Sequence, residues 1–201
     1  MALRLHVGCG TVYLDGYVNL DVEVPGYSYL ASERPDLADL NRTTVDRYYK
    51  NVESQATLEK GPGRPQYCVV DRYARVDQLP FEVGTVDEIR SVQVLEHMDM
   101  KQAPFVLRHW FEKLKPGGVC HVDVPDFEET ARQLLAQPDE PAKDWFYRLI
   151  YGSQKNAYAY HRNGFSPARL EMLLRGAGFR DVRHLPNTIH FYPVCIAEGI
   201  K

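Results

Sequence analysis

Leu3–Val22, LRLHVGCGTVYLDGYVNLDV, decides how this chain is read. Leu3, Leu5 and Val7 alternate up to Gly8-Cys9-Gly10, and Val18, Leu20 and Val22 flank Asp21. Apolar alternation of this kind predicts two strands, over 3–8 and 17–22, joined by a glycine-flanked turn. Glycines let a backbone approach a ligand where a side chain would collide. An acid at the tip of the next strand can accept ribose hydroxyls, so the unit reads as a nucleotide cradle. Only nine residues, Gly8 to Gly16, separate the strands. A parallel crossover through a helix usually takes about a dozen or more. The first crossover helix is therefore expected to be shortened or absent.

The bulk numbers set the class. A chain of 201 residues, 44% hydrophobic and 25% charged, suits one globular α/β domain spanning 1–201. The net charge of -3 argues against a nucleic-acid partner. Cys9, Cys68, Cys120 and Cys195 are scattered without a CxxC pair, so neither a disulfide frame nor a metal site is expected. No apolar run is long enough for a membrane span, and Arg4 and His6 interrupt any signal-peptide pattern. These readings point to a cytoplasmic location.

Further along, residues at about 25–66 are irregular and punctuated by Pro25-Gly26 and Gly61-Pro62-Gly63. Within them, Val45, Tyr48, Tyr49 and Val52 give one apolar face, which predicts a helix over 44–59. The segment reads as an insertion forming a lid or an interface. Strands are predicted over 67–71, 86–92 and 119–124, and a helix over 100–114 capped by Asp99. Asp126 with Glu129 opens a helix to about Gln137, and a short helix over 145–151 closes at Gly152. Ser166-Pro167 opens another helix that ends at Gly178. Final strands are predicted over 179–185 and 189–198. Strands alternating with helices argue for a sheet with helices on both faces. His6, His121 and His190 are read as structural histidines on strands.

Six motifs then occur in order: LHxGCG, GYVNLD, LPF with GTVDEI, VLEH, LKPGG and a closing AGF. Together they resemble class I S-adenosylmethionine-dependent methyltransferases, specifically the short methyltransferase type 11-like group. The resemblance runs from Leu5 to Phe179, apart from roughly 25–67. It implies a Rossmann-like sheet, mostly parallel with an antiparallel last strand. It also implies S-adenosyl-L-methionine as cofactor, held by Gly8, Cys9, Gly10, Asp21, Val22, Asp77, Gln78 and Gln93. Gly8 and Gly10 would face the methionine part, with Cys9 as a small filler between them. Asp21 would take the ribose hydroxyls, Val22 would flank the adenine, and either Asp77 or Gln78 would lie near its amino group.

The implied reaction is methyl transfer to a small-molecule or glycan acceptor, at oxygen or nitrogen. An oxygen acceptor would need its proton removed, and imidazoles titrate in the right range. His161, in the loop YAYHRNGFS, and His97, in VLEH, are the candidate catalytic groups. Many relatives cover the cofactor with helices ahead of the first strand. Met1-Ala2 cannot do so, and the cover is expected from 28–63 or 145–164. Both segments are rich in tyrosine, which suits a sugar or planar acceptor and suits a homodimer interface equally. Two other readings share the fold: a non-catalytic cofactor-binding partner, and a nicotinamide-dependent oxidoreductase. The second would want a third glycine where Tyr13 stands.

Overall fold

The computed structural model describes residues 2–48 and 67–201. Among these residues eleven strands occur in chain order: β1 Arg4–Val7, β2 Tyr13–Leu14, β3 Val18–Asp21, β4 Ser28–Leu30, β5 Arg42–Thr43, β6 Cys68–Val70, β7 Arg72–Tyr73, β8 Val86–Val92, β9 Leu114–Pro125, β10 Arg180–Leu185 and β11 Val194–Ile200. The helices among them are α1 Pro35–Asn41, α2 Gln102–Lys113, α3 Phe127–Leu135, α4 Glu140–Tyr151 and α5 Pro167–Ala177.

Seven strands form one sheet in the order β10-β11-β9-β8-β1-β3-β7. Pairing is parallel from β7 through β9, and β11 runs antiparallel to both its neighbours. This is the Rossmann-like arrangement expected. The crossover from β1 to β3 carries no helix among the described residues. The two-residue strand β2 stands in its place and pairs with β5.

One face of the sheet holds the main core. Leu5, Val7, Leu20, Ile89, Val122 and Val124 pack against Val106, Leu107 and Trp110 of α2 and Leu170 and Leu174 of α5. The other face carries a row of polar side chains. In register across it stand Asn19, His6, Arg90, His121 and Glu198. Val12, Leu14 and Tyr48 pack beside it with Val92.

His6 shows how a polar face is stabilised. It is fully buried. Its Nδ1 lies 2.9 Å from Asn19 Oδ1, and its Nε2 lies 2.5 Å from the Tyr48 hydroxyl. The amide oxygen only accepts, so Nδ1 carries the proton and Nε2 accepts from Tyr48. Loss of hydration pushes the imidazole down from 6.5 to about 4. Between those values the unfolded chain binds the proton and the native chain does not, so stability falls as pH drops through this window. The expected loss is ~3 kcal/mol below pH 4. Urea titrations between pH 7.5 and 4 check it. The slope in this window should flatten in His6→Gln, and an unchanged slope would contradict the assignment.

Several boundaries differ from expectation for local reasons. The helix placed at 145–151 begins at Glu140, because Asp139 accepts a hydrogen bond from Ala142 N at 2.9 Å and Pro141 fits the first turn. The last strand starts at Val194 and not at Ile189. Asn187 accepts from the amides of Ile189 and His190 and donates to the carbonyls of His190 and Tyr192, tying 187–192 into a loop. His190 is therefore a loop residue. The insertion contains β4, α1, β5 and a single helical turn at Val45–Arg47. The rest of the helix predicted over 44–59 lies outside the described residues.

Candidate functional site

The parallel strands β1, β3 and β8 end on one edge of the sheet, and a cavity of about 1130 Å³ opens there. Ligands of open α/β sheets sit outside the carboxyl ends of the strands. β1 stops because Gly8 and Gly10 take φ of 65° and 54°, left-handed values that glycine tolerates. A Cβ on Gly8 would meet Val94 Cγ2 at 2.5 Å. Around Gly10 there is open space on the cavity side.

The turn is held by the strand beside it. Cys9 N donates to Leu20 O at 3.0 Å. Gly10 N donates to Asp21 Oδ2 at 2.8 Å, and Val22 N to Oδ1 at 2.7 Å. The carboxylate is thereby fixed at the cavity wall with one lone-pair side of each oxygen left over. Burial pushes its pKa up, against the two amide hydrogen bonds that pull it down.

Of the residues expected to hold a cofactor, Gly8, Gly10, Asp21, Val22, Asp77 and Gln93 line the cavity. Two do not. Cys9 turns away into a small core with Cys68 and Val70, its Sγ 3.5 Å from Val69 O. This is the filler role foreseen for it, without cavity contact. Gln78 is exposed and lies off the cavity, whereas Asp77 faces it. Asp77 is ion-paired with Arg75 at 2.8 Å, and Arg75 holds its carboxyl below the usual range. The Asp77 loop is tied to the core by Trp110 Nε1, which donates to Val76 O at 2.7 Å. Tyr13, in the loop after Gly10, points elsewhere and donates to Asp71 Oδ1.

Gln93 follows β8 with φ of 57°, a left-handed value rare outside glycine. Its side-chain amide donates to the buried Asp123 at 2.8 Å, whose other oxygen meets His190 Nε2 at 2.7 Å. Strained backbone of this kind gathers at ligand sites.

The cavity lining also brings His97 and His161 together, their rings 4.9 Å apart. His161 Nδ1 lies 2.8 Å from Leu149 O, and His97 Nδ1 lies 3.0 Å from Tyr160 O. A carbonyl only accepts, so both Nδ1 atoms carry protons and both Nε2 atoms keep lone pairs. Desolvation lowers both imidazoles, His161 to about 4, with the neighbouring His97 adding to it. Both shifts favour the neutral imidazole.

The roof comes from α4 and the loop after it: Trp145, Arg148, Gly152, Lys155 and Tyr158 line the cavity with Phe191 and Tyr192. Trp145 stacks on Phe191 at 5.5 Å. From the insertion, the described residues Tyr27 and Ser28 reach the cavity. The motif series did not single out Phe191, Tyr192 or Glu96. Glu96 stands beside His97 in VLEH, so the signal was present but unread.

Comparison with known proteins agrees with this geometry. Residues 7–184 match the methyltransferase-domain family. No curated protein sequence matches the chain. Among solved structures, human N-acetylserotonin methyltransferase in complex with S-adenosylmethionine is 17% identical, with a TM-score of 0.53 over 99% of this chain and 47% of that one. The S-adenosylmethionine-dependent methyltransferase SibL, in its apo form, is 19% identical, with a TM-score of 0.54 over 100% of this chain and 50% of that one. The chain thus spans about half the length of these structures. No helix among the described residues is long and apolar enough to cross a membrane. The chain belongs to the methyltransferase-domain family, the S-adenosylmethionine-dependent class that its motif series resembles.

Proposed function

We propose that this chain transfers the methyl group of S-adenosyl-L-methionine to a hydroxyl or amine of a small molecule or glycan. The observation that carries this reading is a single cavity lined by Asp21 and the Gly8–Gly10 turn together with His97 and His161. Its volume of about 1130 Å³ exceeds the roughly 300–1,000 Å³ of a single drug-sized ligand. It has room for cofactor and acceptor together.

When bound, S-adenosyl-L-methionine supplies an electrophilic methyl on a sulfonium that leaves as a neutral thioether. The chain's own work is placement. Asp21 accepts the ribose hydroxyls on the lone pairs its two amide donors leave over. Gly8 and Gly10 keep the turn low enough for the methionine portion, and Asp77 and Val22 border the adenine. The Nε2 lone pairs of His97 and His161 receive the acceptor's O–H or N–H, aligning its nucleophilic lone pair with the methyl. The aromatic roof of Trp145, Tyr158 and Phe191 suits the flat face of a sugar or ring.

The test is transfer of labelled methyl from S-adenosyl-L-methionine to fractionated cell extract. A labelled product is expected, and with that acceptor His161→Ala should turn over about 100-fold more slowly. Cofactor binding without transfer to any fraction would favour a non-catalytic partner. Unchanged turnover in His161→Ala would remove His161 from the reaction.

A further inference from the structure

The acceptor wall holds a group that the reading above leaves unused. Glu96 is buried, its side chain 2% exposed, beside His97 in the short turn Leu95–His97. Neither carboxylate oxygen has a hydrogen-bond partner outside its own residue. Burying a carboxylate without a partner is costly, and such groups in proteins are usually paired or bound to a metal. What Glu96 faces is chemically specific. Its Oε1 lies 4.0 Å from His97 Nε2, and one ligand atom each from Glu96, His97 and His161 lie within 4.8 Å of one another.

We propose that Glu96, His97 and His161 form a divalent-cation site whose open positions face the cavity and take an oxygen-bearing acceptor. The inference rests on the methyl-transfer reading for its substrate, but not for the ion. Four features support it. Two imidazoles and one carboxylate are a familiar donor set for first-row divalent ions with open positions. Both histidines already donate Nδ1–H to a backbone carbonyl, Leu149 O and Tyr160 O, which is how metal-binding histidines are oriented. The lone pair left on His97 is therefore on Nε2, the nitrogen that lies 4.0 Å from Glu96 Oε1. Finally, all three residues line the cavity in which the acceptor would sit.

The gap is slightly wide for a bound ion. Ligand bonds of about 2.1 Å place neighbouring donors roughly 3 Å apart, so the three side chains must close by about 1–2 Å. A small cavity of about 10 Å³ behind Glu96, lined also by His161 and Thr130, is the size of one water. A water there would give Glu96 a hydrogen bond. It would not account for two imidazoles gathered beside the same carboxylate.

With the ion bound, the imidazole lone pairs it uses no longer receive the acceptor's O–H, and the ion takes over as the activating group. An ion polarises a bound hydroxyl directly. The hydroxyl proton then leaves to solvent as the oxygen–carbon bond forms and the methyl–sulfur bond breaks, its electron pair staying on sulfur.

A second cluster, Cys9, Asp21 and Cys68, also brings three donor atoms close together. Its Asp21 is already held by two amides, and burial keeps the Cys9 thiol protonated. It serves as the control.

The experiment is a Co2+ titration of the full chain, read by visible absorption and calorimetry, with S-adenosylhomocysteine binding measured on the same samples. One equivalent of Co2+ is expected. Glu96→Gln, which keeps the volume, should weaken it by at least about tenfold, and so should His161→Gln, while Cys68→Ala should not. If Glu96→Gln does not fold, His161→Gln carries the comparison. The inference is overturned if wild type binds S-adenosylhomocysteine but not Co2+. It is equally overturned if Co2+ binds Glu96→Gln as tightly as wild type, or if Cys68→Ala removes it. Failure of S-adenosylhomocysteine to bind at all strikes the methyl-transfer reading instead, and leaves the ion to the Glu96→Gln comparison.

Discussion

Asp21→Ala should weaken S-adenosylhomocysteine binding by about 100-fold. Hydrogen bonds to a charged acceptor contribute roughly 1.5–3 kcal/mol each, and two ribose hydroxyls would meet this carboxylate, so ~3 kcal/mol is a conservative sum. The substitution also frees Gly10 N and Val22 N, which donate to the carboxylate at 2.8 and 2.7 Å. The loss therefore combines a missing contact with a loosened turn. Asp21→Asn separates the two. It keeps the side-chain volume and one acceptor oxygen but turns an NH2 toward one of the amides. Affinity should fall in both variants while the melting temperature changes little, since the Leu5, Val7 and Leu20 packing is untouched. Calorimetric titration checks it, and wild-type affinity in Asp21→Ala would contradict the ribose assignment.

The largest effect on stability is expected at Trp110. It is fully buried in the core between α2 and the sheet, and it also holds Val76 O beside the cavity. Trp110→Ala should cost roughly 3–5 kcal/mol for the packing lost and the space left behind. For a chain of this size that lowers the melting temperature by roughly 10 °C. Trp110→Phe keeps most of the packing but leaves the Val76 carbonyl without its donor. Its cost should be ~1 kcal/mol, with a weaker cofactor affinity because Asp77 follows Val76 directly. Thermal melts of both variants with titrations at 25 °C decide it. A melting temperature close to wild type in Trp110→Ala would contradict the packing described.

The strands and helices were legible wherever one face is apolar or a cap is explicit. Asp126 accepts from Glu129 N, Ser166 caps α5, and Gly178 ends it in the left-handed region. Each follows from local chemistry that a sequence displays. The nine-residue count between strands correctly denied the first crossover a helix. Less legible was the polar face of the sheet. His6, Arg90, His121 and Glu198 are read one strand at a time as ordinary alternation, and only the register lines them up into a row. The roof failed for a similar reason. Phe191 and Tyr192 sit in a run that looks like a strand, and the side-chain bonding of Asn187 turns it into a loop over the cavity.

At the site, glycines and an acid at a strand end have few alternatives, so Gly8, Gly10 and Asp21 could be placed from spacing alone. That Cys9 and Gln78 lie off the cavity could not be read that way, because which side of a turn a residue faces depends on packing from distant strands. Cys9 is drawn inward by Cys68 and Val70, which lie far along the chain. The pairing of His97 with His161 is likewise a product of the fold. It depends on Gly152 ending α4 so that the loop beyond returns, with His161 N bonded to Tyr151 O at 3.1 Å.

The most direct test of the central claim is a calorimetric titration of S-adenosylhomocysteine into the wild-type chain, repeated with a nicotinamide dinucleotide. The account predicts one molecule of S-adenosylhomocysteine bound per chain and no binding of the dinucleotide. Binding of the dinucleotide without S-adenosylhomocysteine would contradict it.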